Sequence, residues 1–326
     1  MGRTNVFLEW GATRSKDDCA YIMVQDAIEL GKAKIFMGSW MLRNPYVLGW
    51  HNESCAKRTM PMFDKLYTPV LSKSGTYIFY TNEKNIAIRN RGFFSRLRNE
   101  YDAYTVLVIR NMLMNKRYPE IMGRSIKELK EEFDLIITDE ISDAELFDLI
   151  YYPDSFSNPI KGEEYEMEFD LCFSGTIKKR ENLLNEIAIS ADEHGVKHDI
   201  RLIGGTRRGA RRIKNVKFQK YADIIRQDMR ANCILEVLQP GQTGLTLRTQ
   251  EAVCLGKKLL TNNRLISKAD FYDPRFIHIF DDTNGIDWEF VKKQDRVEYK
   301  NIEKFSPITF FDYVEDELRR KYGDSV

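Results

Sequence analysis

The sequence predicts an α/β protein of two domains, each built on a parallel β-sheet. Its 326 residues exceed what one hydrophobic core usually serves, since domains commonly hold about 100–200 residues. Short apolar runs alternate with segments of helical spacing in both halves, which implies right-handed crossovers between parallel strands. The polar, acidic run at residues 159–166 interrupts this alternation and predicts an interdomain linker.

The second half shows the alternation most clearly. Predicted strands are Glu168–Phe173, Asp199–Ile203, Asn215–Phe218, Cys233–Val237, Lys258–Leu260 and Ile277–Phe280. A helix follows the first strand, with Leu183, Leu184 and Ile187 on one face, and further helices are predicted over Tyr221–Met229 and Leu247–Leu255. This order is typical of a doubly wound domain.

The first half repeats the pattern more weakly. Predicted strands are Val6–Glu9, Lys34–Phe36, Thr76–Tyr80, Val106–Ile109 and Leu135–Thr138, and predicted helices are Cys19–Leu30, Ser125–Glu132 and Asp143–Phe147. Residues 37–73 give no prediction. A last helix begins at Ser306 and Pro307, and its face of Phe310, Phe311 and Val314 needs a surface to pack against.

Composition excludes several classes of protein. Lys and Arg total 50 against 49 Asp and Glu, so no global field attracts nucleic acid or an anionic membrane. The N-terminal sequence lacks a signal-peptide pattern and no apolar window spans a bilayer, which predicts a cytoplasmic protein. Five scattered cysteines and the absence of a DxD motif predict neither disulfides nor a metal, and no cofactor is expected.

The segment Gln239–Asn262 carries the strongest functional pattern. Gly241 and Gly244 let the backbone approach a ligand closely just before a predicted helix, whose free N–H groups and dipole favour an anion. The residues predicted to bind there are Gln242, Thr243, Gly244, Leu245 and Thr246. In doubly wound sheets ligands bind at the carboxyl ends of strands, where this loop lies, so phosphate is the expected ligand.

Arg248 and Glu251 lie three residues apart on one face of that helix. The arginine can donate a fork of hydrogen bonds to phosphate, and the glutamate can accept from a ribose diol. The alternative is a surface ion pair worth at most about 1 kcal/mol. Spacing alone leaves both interpretations open.

The same segment carries a family resemblance. PGQTGLTLRTQEAVCLGKKLLTNN, preceded by YADIIRQDMRANCILEV, resembles the C-terminal domain of bacterial lipopolysaccharide and capsular polysaccharide biosynthesis glycosyltransferases of the GT-B fold. FDLIITDEISDAELFDLIYYPDSFS and DLCFSGTIKKRENLL are similar to the end of their first domain and the start of their donor domain. The resemblance covers roughly Val106 to Asp281.

The resemblance implies two Rossmann-like domains facing a cleft. Residues 1–158 would form the acceptor-side domain, 167–305 the nucleotide-sugar-binding domain, and 306–326 a helix that crosses back onto the first domain. Many retaining members carry two glutamates eight positions apart, whereas Thr243 stands eight positions before Glu251. Retaining or inverting transfer therefore stays open.

A second phosphate contact is predicted at Gly175 and Thr176, which join a strand to a helix. Lys178, Lys179 or Arg180 could neutralise a leaving diphosphate without a metal. The resemblance favours Arg180 because the family has a charged residue there. A solvated basic helix face is the alternative.

A general base for the acceptor should come from the first domain. The candidates are His51, Asp139 and Glu140. A lone histidine such as His51 is more often structural, and Asp139 could equally cap the helix that follows it.

The loop at residues 206–214 holds the densest positive charge. With the resemblance, this charge predicts a lipid-diphosphate acceptor or peripheral contact with the inner face of the plasma membrane, and a solvated loop is the alternative. No aromatic stacking platform accompanies it, so nucleic acid is not an expected partner.

These features predict a metal-independent glycosyltransferase that moves a sugar from a nucleotide-diphosphate sugar to a cell-surface glycan or lipid-linked precursor. Two alternatives remain open: a nucleotide-sugar epimerase of the same fold, and a non-catalytic nucleotide-sugar-binding partner of another transferase.

Overall fold

The computed structural model describes residues 3–9, 19–37, 72–83, 92–113, 124–176, 179–203, 212–217 and 219–323. The chain divides into two compact units. The first unit comprises Met1–Pro153 with Pro307–Val326, and the second comprises Asp154–Ser306. His51 and residues 206–211 of the basic loop lie outside the described residues.

The first unit contains a parallel sheet of six strands in the order β2-β1-β3-β4-β5-β6. The strands are β1 Thr4–Glu9, β2 Ala33–Met37, β3 Tyr77–Asn82, β4 Tyr104–Ile109, β5 Leu135–Thr138 and β6 Ile150–Tyr151. The central strands are mostly apolar and buried along almost their whole length because helices cover both faces. The α/β prediction is confirmed for this half, and β6 is an additional strand.

The helices of the first unit are α1 Cys19–Ile22, α2 Gln25–Glu29, α3 Phe93–Tyr101, α4 Ile126–Glu132, α5 Ile141–Phe147 and α10 Pro307–Tyr322. The single helix predicted over Cys19–Leu30 is wrong, because Val24 leaves the helical conformation at φ −128° and ψ 2°. Helix α4 begins with a capping box in which Ser125 and Glu128 bond each other's backbone N–H groups.

The last helix, α10, belongs to the core of the first unit. Phe310, Phe311, Val314 and Leu318 are buried in one cluster with residues of the sheet that include Phe7 and Tyr80. The ring of Phe311 meets that of Tyr80 edge-on, with 4.9 Å between centroids. The aromatic face of the helix therefore completes one side of the first sheet.

The second unit contains another parallel sheet of six strands, in the order β12-β11-β10-β7-β8-β9. The strands are β7 Phe169–Thr176, β8 His198–Ile203, β9 Lys214–Val216, β10 Ala231–Glu236, β11 Lys258–Thr261 and β12 Ile277–Ile279. The helices are α6 Glu181–Glu193, α7 Tyr221–Met229, α8 Leu247–Cys254 and α9 Trp288–Lys292. Every predicted strand of this half is present, with shifts of one or two residues at most ends.

The acidic run predicted as a linker lies within the second unit. Glu163 pairs with Arg226 of α7 at 3.2 Å, and the guanidinium of Arg230 lies 5.7 Å from the ring centroid of Tyr165. Within the part of the chain that the structure describes, no helix is long and apolar enough to cross a bilayer.

Candidate functional site

The strand order of the second sheet defines a switch point between β7 and β10. From β7 the chain moves outward to β8 and β9, then returns to β10 on the other side of β7 and continues to β11 and β12. Right-handed crossovers place the connections after β7 and β10 on opposite faces of the sheet, and doubly wound sheets bind ligands at the carboxyl ends of the strands at such a point. Of the two predicted phosphate segments, Gly175 and Thr176 are the last residues of β7, and residues 239–246 belong to the connection that follows β10.

The connection after β10 forms a turn and then caps a helix. Gly241 has φ +85°, a conformation that favours glycine, and the side chain of Gln242 accepts from the backbone N–H of Gln239 at 3.3 Å. Thr246 is the N-cap of α8 and accepts from the N–H of Arg248 at 3.1 Å. Of the predicted binding residues, Leu245 is buried, whereas Gln242, Thr243 and Thr246 are half-exposed.

Two asparagines that follow β11 hold this connection in place. The side chain of Asn262 accepts from the N–H of Leu238 at 2.8 Å, and the amide of Asn263 donates to the carbonyl of Gly244 at 3.1 Å. The backbone on both sides of Gly241 is therefore fixed by side chains from a neighbouring strand.

Beneath the connection, Glu236 ends β10 as a buried carboxylate. It accepts hydroxyl hydrogen bonds from Thr249 at 2.7 Å, from Thr261 at 2.5 Å and from Thr246. Because the first helical turn of α8 is bound from below, the N-terminus of this helix is rigid at the switch point. Glu236 was not predicted as a site residue, although its place at a strand end could have indicated it.

Arg180 bridges the connections after β7 and β10. Its Nη1 donates to the carbonyl of Val237 at 2.5 Å, its Nε and Nη2 donate to the carbonyl of Thr176, and its guanidinium lies 5.1 Å from the ring centroid of Phe173. A Cβ on Gly175 would lie 2.9 Å from Nη2, so a larger residue there would displace the guanidinium. Arg180 is the N-cap residue of α6.

Among the described residues, no carboxylate is in direct contact with the guanidinium of Arg180. All its hydrogen bonds go to main-chain carbonyls, and no carboxylate among the described residues forms an ion pair with it. Burial, followed by the positive charge of Arg248, lowers the pKa of Arg180 to about 10, while the negative charge of Glu236 opposes this shift, so Arg180 remains protonated at neutral pH. A guanidinium in this state attracts an anion.

Arg248 and Glu251 occupy a buried network between α7 and α8, so the alternative of a surface ion pair is wrong. Nη1 of Arg248 pairs with Asp228 at 3.0 Å, and Nη2 pairs with Oε1 of Glu251. The hydroxyl of Tyr221 donates to the same Oε1. Asp228 and Glu251 are fully buried, whereas Arg248 is 9% exposed. Sequence spacing identified one pair but not its partners on α7.

The two carboxylates of this network compete for one guanidinium. Burial raises the pKa of Glu251 to about 8 and raises the pKa of Asp228, while Arg248 opposes both shifts. Oε2 of Glu251 is buried without a hydrogen-bond partner. A buried polar atom of this kind needs an explanation, and a hydrogen bond with a ligand is one.

The raised pKa of Glu251 predicts a stability that falls with increasing pH. Unfolded glutamate loses its proton near pH 4.5 whereas folded Glu251 holds it to about pH 8, so the folded state loses stability relative to the unfolded state across that interval. We expect Glu251→Gln to remove this contribution. Urea unfolding of both proteins at pH 5, 6, 7 and 8 measures it, and parallel pH profiles would contradict the raised pKa.

The carboxylates predicted as a general base in the first unit differ in burial. Asp139 is half-buried, and Glu140, rather than Asp139, is the N-cap residue of α5, without a side-chain cap bond. Glu140 is 2% exposed. Glu83, which was not predicted although it follows a predicted strand, is buried after β3 and accepts from the N–H of Arg110 at 3.1 Å and from Asn111.

Two charges of the basic loop are paired inside the second unit. Arg212 lies 2.6 Å from Asp192, and Lys214 lies 2.8 Å from the buried carboxylate of Asp199. Across the described ranges, no three His, Cys, Asp or Glu side chains form a group that could hold a metal ion.

Comparison with known proteins gives relationships of structure only. No family model matches the chain, and no curated protein sequence matches it. An α-glucosyltransferase solved in complex with UDP and a 13-mer DNA containing a HMU base has a TM-score of 0.60 at 9% identity, over 97% of this chain and 98% of that chain.

Two further solved structures match over nearly their whole length. Sucrose-phosphate synthase from Thermosynechococcus elongatus has a TM-score of 0.56 at 10% identity, over 98% of this chain and 99% of that chain. A protein assigned as a UDP-N-acetylglucosamine 2-epimerase from Listeria monocytogenes has a TM-score of 0.54 at 9% identity, over 98% of each chain. With two parallel-sheet α/β domains and these neighbours, the chain has the GT-B glycosyltransferase fold.

Proposed function

We propose that this protein is a glycosyltransferase that takes a nucleotide-diphosphate sugar as donor and binds it on the second unit. One observation carries the proposal: at the switch point of the second sheet, the unpaired charge of Arg180 lies beside a glycine turn and the capped N-terminus of α8. Solved proteins of the same fold that are named for UDP or UDP-sugar chemistry support it.

In this proposal each part of the site has one task. The loop at residues 241–246 and the guanidinium of Arg180 bind the diphosphate, and Arg180 stabilises the charge that develops as the sugar leaves, without a metal. Oε2 of Glu251 binds the ribose diol. Because that oxygen is enclosed by the protein, a small displacement of the neighbouring chain must accompany binding.

The acceptor is a cell-surface glycan or its lipid-linked precursor, as the resemblance to lipopolysaccharide and capsule enzymes implies. Its hydroxyl needs a base from the first unit. Asp139, Glu140 and His51 remain the proposed candidates, and Glu83 joins them through its position at a strand end.

A thermal-shift screen with UDP-, GDP- and ADP-sugars tests the proposal. A donor that binds only the folded protein raises the melting temperature. At a donor concentration of a hundred times the dissociation constant, the folded protein is stabilised by about 2.7 kcal/mol. We expect several sugar derivatives of one nucleoside diphosphate to stabilise the protein. No shift with any donor at millimolar concentration would contradict a nucleotide-sugar site.

An epimerase is the second candidate, because a protein assigned to that activity shares the fold. The two functions differ in their need for an acceptor. Incubation with the donor selected by the screen, followed by NMR of the sugar, separates them: a transferase leaves the donor sugar unchanged in configuration, whereas an epimerase produces a new isomer.

A further inference from the structure

The two arginines at the donor site differ in how their charges are balanced. Arg180 donates only to the carbonyls of Thr176 and Val237. Arg248 donates to two carboxylates, those of Asp228 and Glu251. A phosphate brought to Arg248 would have to displace these two carboxyl groups from its Nη1 and Nη2, whereas a phosphate at Arg180 would compete only with neutral main-chain carbonyls.

We infer that Arg248 does not bind the diphosphate but is a positioning residue that, with Asp228 and Tyr221 of α7, fixes Glu251 for the ribose. The inference rests on the proposed function and assigns the diphosphate to Arg180 and the loop at residues 241–246.

The geometry of the two helices carries the inference. Tyr221 and Asp228 are seven residues apart and therefore lie on one face of α7, opposite Arg248 and Glu251, which are three apart on α8. Both oxygens of Asp228 accept from Nη1 of Arg248, at 3.0 and 3.3 Å, so this end of the guanidinium is bound to α7. Nη2 of Arg248 then points at Oε1 of Glu251.

Glu251 is thereby held from two sides through one oxygen. Oε1 accepts from both Arg248 and Tyr221, whereas Oε2 has no partner and is the atom left for a ligand hydroxyl. Both hydrogen bonds use the acceptor capacity of Oε1. They therefore fix the orientation of the carboxyl group and leave Oε2 available to a ligand. Loss of the hydrogen bond from Arg248 or from Tyr221 should weaken the contact of Glu251 with the ribose and leave the phosphate contacts unchanged.

Binding of matched nucleosides and nucleoside diphosphates to Arg248→Lys tests the inference. Lysine keeps the charge but cannot bridge Asp228 and Glu251, because it lacks the planar fork. NMR and calorimetric titrations use the full chain with the pairs uridine/UDP, guanosine/GDP and adenosine/ADP. For the pair that binds, we expect the variant to lose the same factor, about fivefold or more, for nucleoside and diphosphate, so that their affinity ratio is unchanged.

Further variants separate the possible outcomes. Tyr221→Phe removes one hydroxyl without adding a charge. It should give equal losses of nucleoside and diphosphate affinity, also if Arg248→Lys fails to fold. Arg226→Lys on the exposed face of α7 is the matched control and should leave both affinities unchanged. A loss confined to the diphosphate, or unchanged affinity in Tyr221→Phe, would overturn the positioning role while the proposed function stands. Failure of the wild-type protein to bind any of the three diphosphates would overturn both.

Discussion

Replacing Phe311 by alanine is expected to lower the free energy of unfolding of the first unit by about 3–5 kcal/mol, the range for removal of a buried aromatic ring. Phe311 is 2% exposed and contacts the rings of Tyr80 and Phe310, at 4.9 and 5.4 Å between centroids. The ring lies between the last helix and the first sheet, and the rigid interior cannot close over the space that it leaves.

Denaturant unfolding and hydrogen exchange measure this effect. The peptide that carries Tyr80 should lose protection in Phe311→Ala. Asp316→Ala is a matched control on the exposed face of the same helix, where its surface pair with Arg319 contributes at most about 1 kcal/mol. If the two variants had equal and small effects, the last helix would not be part of the core of the first unit.

Arg180→Gln is expected to weaken binding of a nucleoside diphosphate by about ten- to a hundredfold, because a hydrogen bond to a charged group contributes about 1.5–3 kcal/mol. Binding of the matching nucleoside should stay within about twofold, since the ribose and base do not depend on this charge. Calorimetry with UDP, GDP and ADP, and NMR with their nucleosides, provides both values.

A second variant and a control make the Arg180 result specific. Gly175→Ala introduces a Cβ 2.9 Å from Nη2 of Arg180 and from the ring of Phe173, so it should displace the guanidinium and reproduce the selective loss of diphosphate affinity. Arg226→Gln removes an exposed arginine of the same unit and should change neither affinity. Equal losses of nucleoside and diphosphate in Arg180→Gln would show that the residue supports the fold of the site rather than the phosphate.

The alternation of apolar runs and helical patterns predicted most of the fold, because central parallel strands are mostly apolar. Helix α3 was not predicted, although Phe94, Leu97 and Tyr101 have helical spacing and pack into the core. Its first turn is capped by Glu132, which accepts from the N–H groups of Gly92 and Phe94. A cap supplied from about forty residues away leaves no local pattern in the sequence.

The candidate site was predictable only where its residues are neighbours in sequence. The spacing of Arg248 and Glu251 predicted a shared helix face. Burial of that face depends on Asp228 and Tyr221, which lie 20 and 30 residues upstream, and on the packing of α7 against α8. Local spacing therefore predicted the pair. Only the tertiary structure shows that Asp228 and Tyr221 are also hydrogen-bonded to it in a buried network.

Calorimetric titration of nucleoside diphosphates into wild-type protein and into Glu251→Ala tests the nucleotide site most directly. Glu251→Gln, which keeps the side-chain volume, serves as the companion variant, and circular dichroism checks that each variant is folded. The proposed site predicts that one of UDP, GDP or ADP binds the wild-type protein with one-to-one stoichiometry and that both variants lose affinity, Glu251→Ala by about two- to tenfold, the range for one uncharged hydrogen bond. Unchanged affinity in a folded Glu251→Ala protein would contradict it.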